Sequence, residues 1–122
     1  MRRKRKGRLS TADLIPPAYK AMWLFAMFDL PVKTKEARKE YVRFRKLLLH
    51  EGFTMLQFSV YARYCGNQES ASAQMKRLRA HIPPDGQVRL LLVTDHQFGK
   101  QEVYFGENQG ESEDPPEQLM LF

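Results

Sequence analysis

Apolar residues run unbroken through Ala21-Met-Trp-Leu-Phe-Ala-Met-Phe28. A short run of this kind, with no polar alternation, predicts a central β-strand covered on both faces. Asp29-Leu-Pro31 ends it, because Pro31 has no N–H to give a ladder. From Thr34 the period changes. Ala37, Tyr41, Phe44 and Leu48 fall on one face of a helix at about 100° per residue, and Lys39, Arg43 and Lys46 fall on the opposite face. Thr34 suits the N-cap, Glu36 the first turn, and Gly52 the position that closes the helix.

Phe53 to Cys65 is rich in aromatic and β-branched residues, with Phe58, Val60, Ala62 and Tyr64 alternating with Ser59, Tyr61 and Arg63. The pattern fits two short strands breaking near Gln57, or one long strand with a bulge. Gly66-Asn67-Gln68 marks a turn. Ala71, Met75, Leu78 and Ile82 then repeat at helical spacing, with Lys76, Arg77 and Arg79 off the apolar stripe. Pro83-Pro84-Asp85-Gly86 stops that helix, Val88 to Val93 forms the next strand, and Gln101 to Phe105 fits a short last one.

This order predicts an α+β domain of the ferredoxin-like βαββαβ plan with an extra C-terminal strand, two helices packing on one face of a mainly antiparallel sheet. The helix-free face is left uncovered although the first strand is apolar on both sides. Pairing with a second copy would bury it, so a homodimer is expected. Residues 1–19 are expected to be a basic flexible arm, 20–105 the domain, and 106–122 an acidic tail with an apolar end.

Length and composition agree with one globular domain: 122 residues, 43% hydrophobic, with eight Phe, five Tyr and one Trp. The single Cys65 cannot form an internal disulfide, which points to a reducing cytoplasm. No apolar run approaches the roughly 18 residues of a bilayer span, and the basic N-terminus has no secretory h-region behind it. A cytoplasmic prokaryotic protein without a membrane role is expected.

The net charge of +6 is unevenly spread. Residues 1–8 carry six cations and no acid, residues 9–105 carry fourteen Lys/Arg against nine Asp/Glu, and residues 106–122 carry five acids and no base. The body is therefore basic by itself, as a phosphate-binding surface requires. Lys39, Arg43, Lys46, Arg77 and Arg79 are the candidate nucleic-acid contacts, although such residues also decorate ordinary solvated faces.

Asp29 is the candidate for chemistry. A carboxylate at the end of a buried strand can ligate Mg²⁺, and two copies meeting near the strand end would supply two carboxylates. The plainer alternative is turn chemistry ahead of Pro31. His50, His81 and His96 lack metal-ligand spacing, and no phosphate-loop, dinucleotide-binding or nucleophile-elbow motif is present. The RNA-recognition signature is also missing.

Met27-Phe-Asp-Leu-Pro31, Gly52-Phe53, Gln57-Phe-Ser-Val-Tyr61, Val88-Arg-Leu-Leu-Leu-Val-Thr94 and Gln97-Phe98 resemble, in order and spacing, the small second CRISPR-associated adaptation protein. The form is the one that accompanies large single-effector (type II) systems. The resemblance runs from Ala21 to Gly106. It implies a ferredoxin-like homodimer that bridges two dimers of an integrase partner, a heterohexamer, beneath the duplex DNA to be integrated during spacer acquisition. It also implies a metal-dependent endonuclease activity on RNA or double-stranded DNA in some members, with the residue matching Asp29 as ligand to Mg²⁺. Phe28 stands where the family often has Tyr, and Met55 where some members carry Arg. Leu119, Met120, Leu121 and Phe122 correspond to the segment that contacts the integrase.

Three functions follow as expectations: a DNA-binding scaffold in spacer acquisition, a Mg²⁺-dependent endonuclease, and a ferredoxin-like RNA-binding protein.

Overall fold

The computed structural model describes residues 20–107; the basic arm and the tail beyond Glu107 lie outside the described residues. Four strands form one antiparallel sheet in the order β2-β3-β1-β4, with β1 Met22–Asp29, β2 Thr54–Gln57, β3 Val60–Cys65 and β4 Gln87–Thr94. Helix α1 (Lys35–His50) follows β1, α2 (Gln68–Arg79) follows β3, and a short α3 (Asp95–Gly99) follows β4. This is the ferredoxin-like α+β fold.

The apolar run becomes β1, a central strand between β3 and β4. Its even residues Met22, Leu24, Ala26 and Phe28 are buried, and Trp23, Phe25 and Met27 are half-buried. The buried set packs with Tyr41, Val42, Phe44 and Leu48 of α1 and with Ala71 and Leu78 of α2. Phe28 anchors this core through edge contacts with Tyr41 and Phe44 and a stack on Tyr61. The other side of β1 has no long helix over it.

Helix α1 begins where the Thr34 hydroxyl accepts the Ala37 N–H at 3.0 Å. It ends in a Schellman closure, in which Phe53 N–H donates to the Leu48 carbonyl and Gly52 N–H to that of Leu49. Gly52 sits at φ +92°, a conformation in which a side chain would be strained. Helix α2 starts with Asn67 accepting the Ser70 N–H at 2.7 Å. It stops at Arg79, one turn short of the expected Ile82, which is exposed.

Phe53 to Cys65 resolves into two strands joined at Phe58-Ser59, with a register shift between Met55 and Gln57. The turn is closed by Ser59 at φ +66°, an uncommon conformation for a residue other than glycine.

Two expectations change near the C-terminus. Helix α3 was not foreseen. The strand expected over Gln101–Phe105 does not form: the segment has no ladder, and Val103, Tyr104 and Phe105 are exposed. The reason is placement. Gln101 to Tyr104 lie across the helix-free face, beside Phe25, Leu56, Gln57 and Val60 around a hollow of about 320 Å³, and a strand needs a sheet edge alongside it.

Candidate nucleic-acid site around Asp29

Asp29 is exposed at the last position of β1. Side chains alternate along a strand, so Asp29 shares the helix-free face with Trp23, Phe25 and Met27. Its cross-strand neighbour on β4 is Gln87. Two tight contacts fix this end of the strand. Phe28 N–H donates to the Ser59 carbonyl at 3.1 Å, and Gly86 approaches so closely that a Cβ there would stand 2.6 Å from the Asp29 carbonyl oxygen. Gly86 also sits at φ +90°, so the Pro83-Pro84-Asp85-Gly86 turn presses on the strand end in a way a side chain would prevent.

Ser59 was not singled out from the sequence. It holds the Asp29 end of β1 through its carbonyl, which accepts the Phe28 N–H. Burial raises the Tyr41 phenol above its ordinary value, and the nearby Ser59 hydroxyl only partly offsets this. No sequence pattern announces a serine at positive φ.

The five helical cations lie on α1 and α2, on the far side of the sheet from Asp29. They differ in availability. Arg43 forms an ion pair with Glu40 at 2.9 Å and donates to the His81 carbonyl at 3.0 Å, tying α1 to the end of α2. Arg77 pairs with Glu51 and donates to Gln74, which is fully buried and itself donates to Glu51. The Gln74 hydrogen bond, followed by those of Arg77, holds the Glu51 carboxyl below the usual glutamate range. Lys39, Lys46 and Arg79 are exposed, with no hydrogen bond or ion pair among the described residues. Two electrostatic surfaces result: a cationic helix layer, and a largely apolar sheet face with a carboxylate at one end. Leu119, Met120, Leu121 and Phe122 lie outside the described residues.

A cavity of about 180 Å³ beside the end of β1 is lined by Leu30, Pro31 and Thr34 with Glu36, Glu40 and Asp85. Its acids disfavour a phosphate. Among the described residues no three His, Cys, Asp or Glu side chains come together as a metal site. Asp29 alone from one chain fits a hard cation that keeps most of its waters, and a second copy would double the carboxylates.

The opposite end of the helix-free face is aromatic. Phe98 of α3 stacks on Trp23 with centroids 3.9 Å apart, and Tyr64 meets Trp23 edge-on. Thr94 and Gln97 form a capping box at the start of α3. That Thr-x-x-Gln spacing is the signal by which this helix could have been found.

The structure is an α+β domain of the ferredoxin-like class, with an acid at the end of its central strand and cations on its helices. Residues 22–101 match the family described as CRISPR associated protein Cas2. The chain is 52% identical over 101 residues to the CRISPR-associated endoribonuclease Cas2 of Parvibaculum lavamentivorans, covering 83% of this chain and all of that protein. It is 41% identical to the protein of the same description from Flavobacterium psychrophilum, over 85% of this chain and 90% of the relative. A Cas2 endoribonuclease of Rhodospirillum rubrum is 37% identical over 88% of this chain. The chain belongs to the Cas2 family. No helix among the described residues is long and apolar enough to cross a membrane.

Proposed function

We propose that this protein is a dimeric nucleic-acid-binding scaffold of CRISPR spacer acquisition, bridging dimers of an integrase subunit. The observation that carries this reading is the division of the surface by the sheet. The exposed cations Lys39, Lys46 and Arg79 belong to the helix layer, where a duplex can run without meeting Asp29. The opposite face leaves Leu91 49%, Tyr64 51% and Leu56 41% exposed. Large apolar side chains exposed on one sheet face favour burial against a second copy. A two-fold axis near the β1 end would bring two Asp29 side chains together and leave a cationic helix layer on each outer side of the pair.

A second reading, metal-dependent endonuclease, has its own support in Asp29 and in the relatives' description as endoribonucleases. Asp29 and its copy would hold a magnesium ion, which supplies a more acidic bound water and polarises a phosphoryl oxygen. The residues of this chain set the geometry: Gly86 and Ser59 fix the strand end, and the apolar face limits access of bulk water. Phe28 carries no hydroxyl and is buried in the core, so it gives this site no polar group.

Asp29→Asn separates the two. The scaffold reading expects duplex binding and integration with the partner to persist while any Mg²⁺-dependent cleavage disappears. Loss of integration with the Asn protein, at unchanged folding, would make the carboxylate central and remove the scaffold reading. Single strands bound more tightly than duplex would favour a plain RNA-binding protein.

A further inference from the structure

The chain beyond the domain starts from the end of the sheet where the helix layer keeps free cations. Gln101 to Tyr104 run beside Leu56 and Gln57 of β2 and Val60 of β3. β2 is an edge strand, and Val60 pairs with Met27, close to where β1 stops. At that same end α1 begins, at Lys35, and α2 finishes, at Arg79, ahead of the turn whose Gly86 lies against the Asp29 carbonyl. Lys39 stands one turn into α1. The basic arm instead joins β1 at its Met22 end, about 16 Å away along the strand.

From Gly106 onward the chain carries Glu107, Glu111, Glu113, Asp114 and Glu117 and no base. This segment lies outside the residues 22–101 that match the Cas2 family. Residues 108–122 span up to about 50 Å when extended, and a helix layer is about 10–12 Å thick. The length suffices to pass the β2 edge and lie on α1 and α2. Arg43 and Arg77 are already paired there, with Glu40 and Glu51. Lys39, Lys46 and Arg79 are exposed and have no hydrogen bond or ion pair among the described residues. They lie on the side of the sheet away from the face that a second copy would cover, so a dimer leaves them open.

We propose that the acidic segment, residues 107–122, folds back on the helix layer and competes with duplex for Lys39, Lys46 and Arg79. This rests on the helix layer being the duplex-binding surface and goes beyond it, because the protein then screens that surface itself. Five tethered carboxylates face these cations at an effective concentration on the order of 1 mM. Duplex carries one charge per about 1.7 Å of its axis, far denser than the segment, so duplex dislodges it where a sparsely charged polyanion does not.

The test is carbodiimide cross-linking of the full chain at low ionic strength, read by mass spectrometry. The reagent joins a lysine amine to a carboxylate as an amide and takes up the lost water to become a urea. Links from Lys39 or Lys46 to the acids of 107–117 are expected, and added duplex or about 1 M salt should suppress them. Duplex affinity is measured beside this on a full-length protein combining Glu107→Gln, Glu111→Gln, Glu113→Gln, Asp114→Asn and Glu117→Gln. At low salt it should bind duplex about threefold or more tighter than wild type. Its log affinity should also fall more steeply with log salt, because in wild type the competing segment weakens as salt rises.

Equal affinity and slope, or links confined to Lys4 and Lys6 of the arm, would overturn the inference. Duplex binding without any link to Lys39 or Lys46 removes this inference alone. Links to both lysines in a protein that binds no duplex even when neutralised keep the fold-back and remove the duplex reading of the helix layer.

Discussion

Trp23 on β1 and Asp95 at the start of α3 are joined by a hydrogen bond of 2.7 Å from the indole Nε1 to the carboxylate Oδ1, while Phe98, three residues on, lies flat on the indole at 8°. The two contacts hold α3 down on one end of the helix-free face. A five-residue helix is far too short to be stable by itself, so its existence depends on this clamp.

Phe98→Ala should therefore free α3. A fully buried phenylalanine costs about 3–5 kcal/mol on truncation, and Phe98 is half-buried, so a loss of about 2 kcal/mol is expected in chemical denaturation. Emission from Trp23, the chain's one tryptophan, should move to longer wavelength as water reaches the ring. An unchanged spectrum would show that Phe98 does not cover the indole.

Gln74 is fully buried between Glu51 and Arg77. Gln74→Ala leaves polar groups without a partner, and a loss of about 1–3 kcal/mol is expected. The same network sets an acid limb. Glu51 is held below its ordinary pKa, so its contribution is present above the usual glutamate value of about 4.3 and is lost as pH falls through the lowered folded value. Denaturation midpoints of Glu51→Gln measured against pH should lack that component of the fall below about pH 4.3.

Gly86→Ala puts a methyl group against the Asp29 carbonyl oxygen and demands a left-handed backbone of a side-chain-bearing residue. The conformational term of about 1–2 kcal/mol and the crowding of about 1–3 kcal/mol add to a loss of roughly 2–5 kcal/mol. Any Mg²⁺-dependent cleavage should fall with it, because the strand end bearing Asp29 must shift.

The helical cations divide by their contacts. Lys46→Ala should leave stability within about 0.5 kcal/mol and lower the slope of log affinity for duplex against log salt by about one. Arg43→Ala and Arg77→Ala should cost stability as well, because each guanidinium links α1 to the end of α2. Unfolding and duplex titration on the same three proteins check this.

Much of this architecture is written in periodicity. The unbroken Ala21–Phe28 run, the Tyr41-Phe44-Leu48 stripe and the Pro83-Pro84-Asp85-Gly86 stop became β1, the buried side of α1 and the turn before β4. The place of Asp29 at the end of β1 was legible because the apolar run stops there and Pro31 ends the strand. The availability of the cations was legible only in part: Glu40 stands three residues before Arg43 and Gln74 three before Arg77 on their own helices, while the contacts with His81 and Glu51 are tertiary. Ser59 stayed hidden because serine at positive φ follows from closing the β2–β3 turn. The missing strand at Gln101–Phe105 has a related cause, since its pattern shows extended character but not an edge to pair with.

The most direct measurement is sedimentation equilibrium on the wild-type protein beside Leu91→Lys, which charges the helix-free face, and Lys46→Glu, which alters the helix layer. Burial of the sheet face between two copies predicts a wild-type dimer, a Leu91→Lys monomer that remains folded, and a Lys46→Glu dimer. A wild-type monomer, or a dimer that survives the lysine at position 91 and dissociates on changing Lys46, would contradict it.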